Sequence, residues 1–156
     1  MTSIEADDFF YMRQALDLAR KAAEDDEVPV GALLVAGGRI IGRGYNRREG
    51  GHDATLHAEM IAIREACAAL GGWRLPRSTM YVTLEPCPMC AGALVLSRVE
   101  RLVYAAADLK TGAAGTLLDI VRYPGLNHCL EVTSGVMKEE AAALLSGFFA
   151  AKRKQQ

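Results

Sequence analysis

The stretch from Met80 to Ala107, MYVTLEPCPMCAGALVLSRVERLVYAAA, restricts the fold more than any other part of the chain. Met80–Leu84 is a short apolar run of strand type, and Arg101–Ala107 is another. Between them, Cys87–Ser97 carries almost no polar side chain and reads as a helix. A strand, a helix and a strand in close succession point to parallel strands joined by a right-handed crossover.

The flanking sequence extends this unit. From Asp8 to Glu24, residues Met12, Ala15, Leu16, Ala19, Ala22 and Ala23 recur at helical spacing and form one apolar stripe. In VPVGALLVAGGRIIGRGYN two apolar runs flank Gly37-Gly38, the signal of a tight β-hairpin. Arg48 to Thr55 is polar and Gly-containing, and so a loop. Helices are expected over His57–Leu70, over the short Leu117–Val121 segment, and from Lys138 onward, with a weak strand at Glu131–Ser134. The last helix presents Ala141, Leu144, Leu145 and Phe148 on one face and ends in Lys152-Arg153-Lys154. The expected fold class is α/β: a three-layer α/β/α domain with helices on both faces of a mixed five-stranded sheet. That sheet begins as an antiparallel hairpin and continues with parallel strands.

With 156 residues the chain has the size of one domain with one core, residues 1–156. At 51% hydrophobic residues it is too apolar to be disordered. No apolar run approaches the roughly 18–20 residues that span a bilayer, so no membrane partner is expected. The acidic start, MTSIEADDFF, lacks the basic and apolar regions of a signal peptide. The expected location is the cytoplasm. A net charge of −1 provides no global basic field, so a nucleic-acid partner needs a local basic patch. In such a setting Cys87-Pro88-Met89-Cys90 reads as a metal or redox motif rather than half of a disulfide framework.

Glu85-Pro86-Cys87-Pro88-Met89-Cys90 follows a strand and opens a helix. Proline is tolerated in the first helical turn because its missing N–H has no intrahelical partner there. Both cysteines then sit near a helix N-terminus, where the dipole favours the thiolate that binds metal. The motif alone fits a redox pair or half of a structural zinc site, which normally has four protein ligands. Candidates for the remaining ligands are Cys67, Cys129, His52, His57 and His128. Cys67 falls on the apolar stripe of its helix, which suits core packing; Cys129 suits an inert thiol. His52 and His128 lie in polar loops. His57 stands out because it opens a helix two residues before Glu59, an acid on the same stripe as Ala62, Ile63 and Ala66. Glutamate is almost never buried without a partner. Glu59 could simply complement the helix N-terminus. Taken with His57 and the Cys pair, it suggests more. One histidine and two cysteines leave the fourth zinc position to water. A carboxylate beside that position makes a hydrolytic site, since zinc can bring the pKa of its water to about 7.

These residues resemble the H-x-E…P-C-x-x-C signature of the cytidine-deaminase-like zinc superfamily. Within that superfamily the chain is most similar to the bacterial tRNA-specific adenosine deaminases, over Tyr11 to about Arg153. The shared stretches are EVPVGA (27–32), GYNRR (44–48), YVTLEPCPMCAGA (81–93), DLKTGAAGTL (108–117), LNH (126–128) and Phe148-Phe149. The zinc motif marks the superfamily; DLKTGAAG and the FF-basic ending favour the tRNA enzymes. The resemblance implies a cytidine-deaminase-like fold and one Zn2+ per subunit on His57, Cys87 and Cys90, with Glu59 shuttling protons. It implies that Asn46 bonds the flipped base or its ribose, and that Val30, Ala58 and Leu84 shape the pocket. Asp108 and Lys110 would contact the anticodon-loop backbone, with Phe149, Lys152 and Arg153 on neighbouring nucleotides. It implies a homodimer that converts adenosine to inosine at the wobble position of a tRNA anticodon stem-loop. The runner-up is a zinc deaminase of a free base or nucleoside, guanine or cytosine. A non-catalytic RNA-binding partner and a structural zinc domain are further readings; retention of Glu59 argues against the former.

Where the family reads P-T-A-H-A-E, this chain has Ala54-Thr55-Leu56-His57-Ala58-Glu59. Both departures are expected at the pocket rim. KTGAAG (Lys110–Gly115) could bring backbone N–H groups to a phosphate, or be a plain surface loop. Arg43, Arg47, Arg48 and Lys152–Lys154 could form the basic patch, or a solvated face.

Overall fold

A computed structural model describes all residues, Met1–Gln156. The apolar stripe near the N-terminus forms helix α1 (Asp8–Glu24). Strands β1 (Gly31–Ala36) and β2 (Arg39–Tyr45) pair antiparallel through the Gly37-Gly38 turn. Both glycines have positive φ, 59° and 73°, as the tightest hairpin turns require. Helix α2 (Ala58–Leu70), strand β3 (Ser78–Leu84), helix α3 (Pro88–Leu96) and strand β4 (Arg101–Ala106) follow, then β5 (Glu131–Ser134) and α4 (Lys138–Lys154). The sheet order is β2-β1-β3-β4-β5. β1 pairs antiparallel with β3, while β3–β4 and β4–β5 are parallel. The expected mixed sheet is therefore found.

Alternating strand residues serve two cores. Ala32, Leu34, Met80, Val82, Leu102 and Tyr104 pack with Ala62 and Ala66 of α2 and Leu94 of α3. Their neighbours Leu33, Val35, Tyr81, Val103 and Ala105 pack with Met12, Ala15 and Leu16 of α1 and with Ala141 and Leu144 of α4. This period of two, buried on both faces, makes the three layers. α2 lies close on β2 because Gly42 and Gly44 carry no side chain. A Cβ there would lie 2.2 Å from the Ala62 carbonyl oxygen and 2.3 Å from that of Ala58, respectively.

Opposite the site-bearing helices, a polar cluster ties the sheet to the N-terminal segment. Arg101 donates two bonds to Asp8, 2.8 Å each, and Tyr81 donates a third to Asp8 at 2.8 Å. Asp8 is fully buried and Arg101 nearly so. One expected element is absent. Leu117–Val121 is not helical. The Leu117 and Leu118 amides both turn back to the Gly112 carbonyl, and Ala114 pairs with Asp119 as an isolated bridge. Those tertiary bonds replace the helical ones.

Candidate active site

The site forms where the N-termini of α2 and α3 meet. His57 is the N-cap of α2, with extended backbone (φ −74°, ψ 153°), and Cys87 is the N-cap of α3 (φ −73°, ψ 173°). Pro88 takes the first helical position of α3, where it costs no hydrogen bond. Cys90, three residues on from Cys87, falls on the same side of the first turn and is fully buried.

His57 Nδ1 lies 3.6 Å from Sγ of Cys87 and 3.6 Å from Sγ of Cys90. A tetrahedral zinc with bonds of about 2.0–2.1 Å to nitrogen and about 2.3 Å to sulfur separates such atoms by about 3.6 Å. The donor set, its softness and its spacing therefore fit zinc. These are the only three residues whose donor atoms gather in this way. Cys67 bonds the Trp73 carbonyl instead, Cys129 and His52 are exposed, and His128 meets the Val99 carbonyl.

The electrostatics match a metal and acid–base centre. A hydrogen bond from Cys90 holds the Cys87 thiol down at about 4, with further help from His57. The same bond, with burial, holds the Cys90 thiol well above the ordinary thiol range. The contact with Cys87 raises His57. Glu59 is 4% exposed and stays outside the ligand group. Burial pushes its carboxyl up to about 7. An acid that only complements a helix dipole would remain in water, whereas Glu59 lines the cavity beside the ligands.

That cavity has a volume of about 480 Å³. It gathers Val30, Asn46, Ala58, Leu84, Asp108, Lys110 and Phe149, which the resemblance had named as substrate contacts. Asn46 is buried; its amide donates to the Val28 carbonyl and accepts from the Arg48 N–H. Asparagine has two N–H groups and two lone pairs, so capacity remains toward a ligand. Arg153 does not line the cavity; it is exposed at the end of α4. Lys152, also expected near substrate, pairs with Asp26 at 2.5 Å. Ala54 and Leu56 do not line the cavity either. Leu56 covers Gly51, where a Cβ would lie 2.2 Å from its Cδ1.

The KTGAAG loop differs from the phosphate-nest expectation. The amides of Lys110 and Thr111 donate to the Asp108 carboxylate, Gly112 to the Asp108 carbonyl, and Ala113 to the Pro86 carbonyl. Ala114 and Thr116 donate to Glu85, and Gly115 to the Leu118 carbonyl. Every amide from Lys110 to Thr116 is engaged, which leaves only side chains for a phosphate. The Asp108 carboxylate likewise serves its own loop. Sequence reasoning missed Val28, Glu85, Ala107, Leu109, Thr111 and Leu145 as cavity residues and named Arg48 only as part of a basic patch. An acid directly after an apolar strand was the available signal for Glu85.

Comparison with known proteins agrees with this geometry. The model for the MafB19-like deaminase family matches residues 6–153. The tRNA-specific adenosine deaminase of Bacillus subtilis (strain 168) is 53% identical over 96% of this chain and 92% of its own length. A solved structure from a study of A-to-I editing by tRNA:A34 deaminases at the wobble position superposes with a TM-score of 0.84. It is 47% identical, over 87% of this chain and 99% of that one. The guanine deaminase of Nitrosomonas europaea superposes with a TM-score of 0.80 at 28% identity, over 96% and 87% of the two chains. With its zinc-type ligand set, its buried acid and relatives matching along nearly its full length, this chain belongs to the MafB19-like deaminases and, among them, to the tRNA-specific adenosine deaminase family.

Proposed function

We propose that the protein is a zinc-dependent hydrolase that converts adenosine to inosine at the wobble position of tRNA and releases ammonia. The observation that carries this reading is the His57–Cys87–Cys90 triangle, with Glu59 buried beside it on the wall of the cavity. Identity of 53% to a tRNA-specific adenosine deaminase, against 28% to a guanine deaminase, favours the tRNA substrate over a free base. The cavity mouth is also suited to a polymer: Arg48, Leu109, Lys110 and Phe149 line it and are exposed.

His57, Cys87 and Cys90 would hold the metal, which would supply Lewis-acid activation of water near neutral pH. Glu59 takes a proton from the attacking water onto a carboxylate oxygen and hands it to N1 of adenine as C6 is attacked. The again ionised Glu59 then carries the proton of the new C6 hydroxyl to the amino nitrogen, so that the C–N bond breaks, ammonia leaves and the C6 carbonyl of inosine remains. A carboxyl near pH 7 can both accept and donate. Val30, Ala58 and Leu84 receive the base, and Asn46 bonds the base or its ribose. The base must leave its stack to reach this depth, and an anticodon loop is already single-stranded. Lys110, Phe149 and Arg153 then meet the flanking nucleotides, with Asp108 shaping the loop that carries Lys110.

Residues 1–156 act as one deaminase domain, in the cytoplasm, as a homodimer. Leu96 of α3 and Leu117, Leu118 and Tyr123 are each more than half exposed, and their apolar surface suits a second copy. No helix is long and apolar enough to cross a membrane. The test uses zinc-loaded protein and an anticodon stem-loop with adenosine at the wobble position, read by mass spectrometry. Inosine in the RNA, with free guanine, cytosine and adenosine untouched, is the expected result. Release of xanthine from guanine without RNA editing would favour the second reading.

A further inference from the structure

We infer that Glu85 is a positioning residue: its buried carboxylate fixes the 108–116 loop so that Leu109, Lys110 and Thr111 stand at the cavity mouth to meet the RNA. The inference rests on the functional reading above and deepens it. Glu85 is 2% exposed. It accepts hydrogen bonds from the amides of Asp108 (3.1 Å), Ala114 (3.0 Å) and Thr116 (3.1 Å). The Thr116 hydroxyl is a fourth donor. All four donors belong to one loop, and they fall at its two ends. A single carboxylate therefore closes the loop, and Leu109, Lys110 and Thr111 between its anchors are left exposed as part of the cavity wall.

A carboxylate has about four lone-pair sites. Four donors use that capacity, so none remains for substrate, and Glu85 stays outside the ligand group. Its role is to orient other residues. The fit is close, because a Cβ on Gly112 would lie 2.5 Å from both Glu85 Oε1 and the Asp108 carbonyl oxygen. Glu85 also stands two residues before Cys87, so the same turn that presents the metal ligand sets the position of the loop.

The test compares kcat and KM on the anticodon stem-loop for wild type, Thr116→Val, Thr116→Ser, Glu85→Gln, Gly112→Ala and the Glu85→Gln/Gly112→Ala double variant. Zinc content is measured for each. Loss of bonds to a charged acceptor raises KM about tenfold in Glu85→Gln and several-fold in Thr116→Val, with less taken from kcat than from KM. Thr116→Ser keeps the hydroxyl and the wild-type KM. The double variant is little worse than the more impaired single one, because both changes disturb the seat of one carboxylate. Unchanged KM in Glu85→Gln and Thr116→Val, a loss confined to kcat, or Thr116→Ser as impaired as Thr116→Val overturns the inference. Should Glu85→Gln fail to fold, the Val/Ser pair at the half-buried Thr116 decides. A wild type that makes no inosine sinks the functional reading; an active wild type whose variants keep their KM sinks only the role of Glu85.

Discussion

Gly44→Ala tests how far the catalytic geometry depends on close packing beneath α2. A Cβ at this position would lie 2.3 Å from the Ala58 carbonyl oxygen and 2.9 Å from the Ala62 nitrogen. Carbon–oxygen contacts of this kind settle at about 3.3 Å, so the gap must open by about 1 Å. β2 is held by its pairing with β1, where Gly44 faces Ala32, and α2 must yield. The part of α2 that yields is its first turn, which carries Glu59 and follows directly on His57. A misplacement of about 1 Å can cost about 10²-fold in rate. Overpacking costs about 1–3 kcal/mol, which lowers Tm by about 2–12 °C in a chain of this size. Gly42→Ala is the control. Its Cβ would lie 2.2 Å from the Ala62 carbonyl oxygen, one turn further from the ligands. Both variants are expected to lose similar stability by thermal unfolding, whereas Gly44→Ala loses far more kcat at equal zinc content. A Gly44→Ala enzyme within threefold of wild type, or equal losses of activity in both, would refute the packing argument.

Glu59→Gln is expected to keep zinc and fold while losing at least the roughly 10²–10⁴-fold that proton transfer contributes, measured as inosine formed per zinc; substantial residual turnover sinks its role. Asp8→Asn removes the buried partner of Arg101 and leaves it only the 3.4 Å pair with the exposed Glu5, at a cost of up to about 3–5 kcal/mol by urea unfolding at neutral pH. Burial pushes the Asp8 carboxyl up, but hydrogen bonds from Arg101, the Glu5 amide and Tyr81, with the Arg101 charge, together outweigh it, and the net pKa lies below the ordinary 3.8. Asp8 therefore stabilises the fold above about pH 4, and that contribution fades as pH falls through the lowered value, so Asp8→Asn should flatten stability against pH below about 4. Removal of zinc by a chelator should abolish turnover and expose Cys87 to alkylation at about pH 6, where an ordinary thiol is protonated. Peptide mapping reads the modification, and zinc should both protect Cys87 and restore activity.

Most of the fold was legible because it depends on residues close together in sequence. The stripe of α1, the Gly37-Gly38 turn and the apolar runs of β3 and β4 each carry their signal within a few positions. Leu117–Val121 was misread because the Leu117 and Leu118 amides bond the Gly112 carbonyl and the Ile120 amide that of Ala113, in place of a helical ladder, and no local pattern records that choice. The KTGAAG amides were misjudged for the same reason: their acceptors include Glu85 and Pro86, more than twenty residues upstream.

At the site, sequence alone determined the chemistry on offer: an imidazole, two thiols at the spacing of one helical turn, and an acid two residues from the imidazole. Those follow from side-chain type and local period. Tertiary structure decided that His57 meets the cysteines at 3.6 Å across thirty positions of chain, and that Glu59 is buried enough to titrate near 7. It also placed Arg153 away from the cavity and Leu56 over Gly51. Distance and desolvation depend on which elements stack on which face of the sheet, and that becomes definite only when the two cores close.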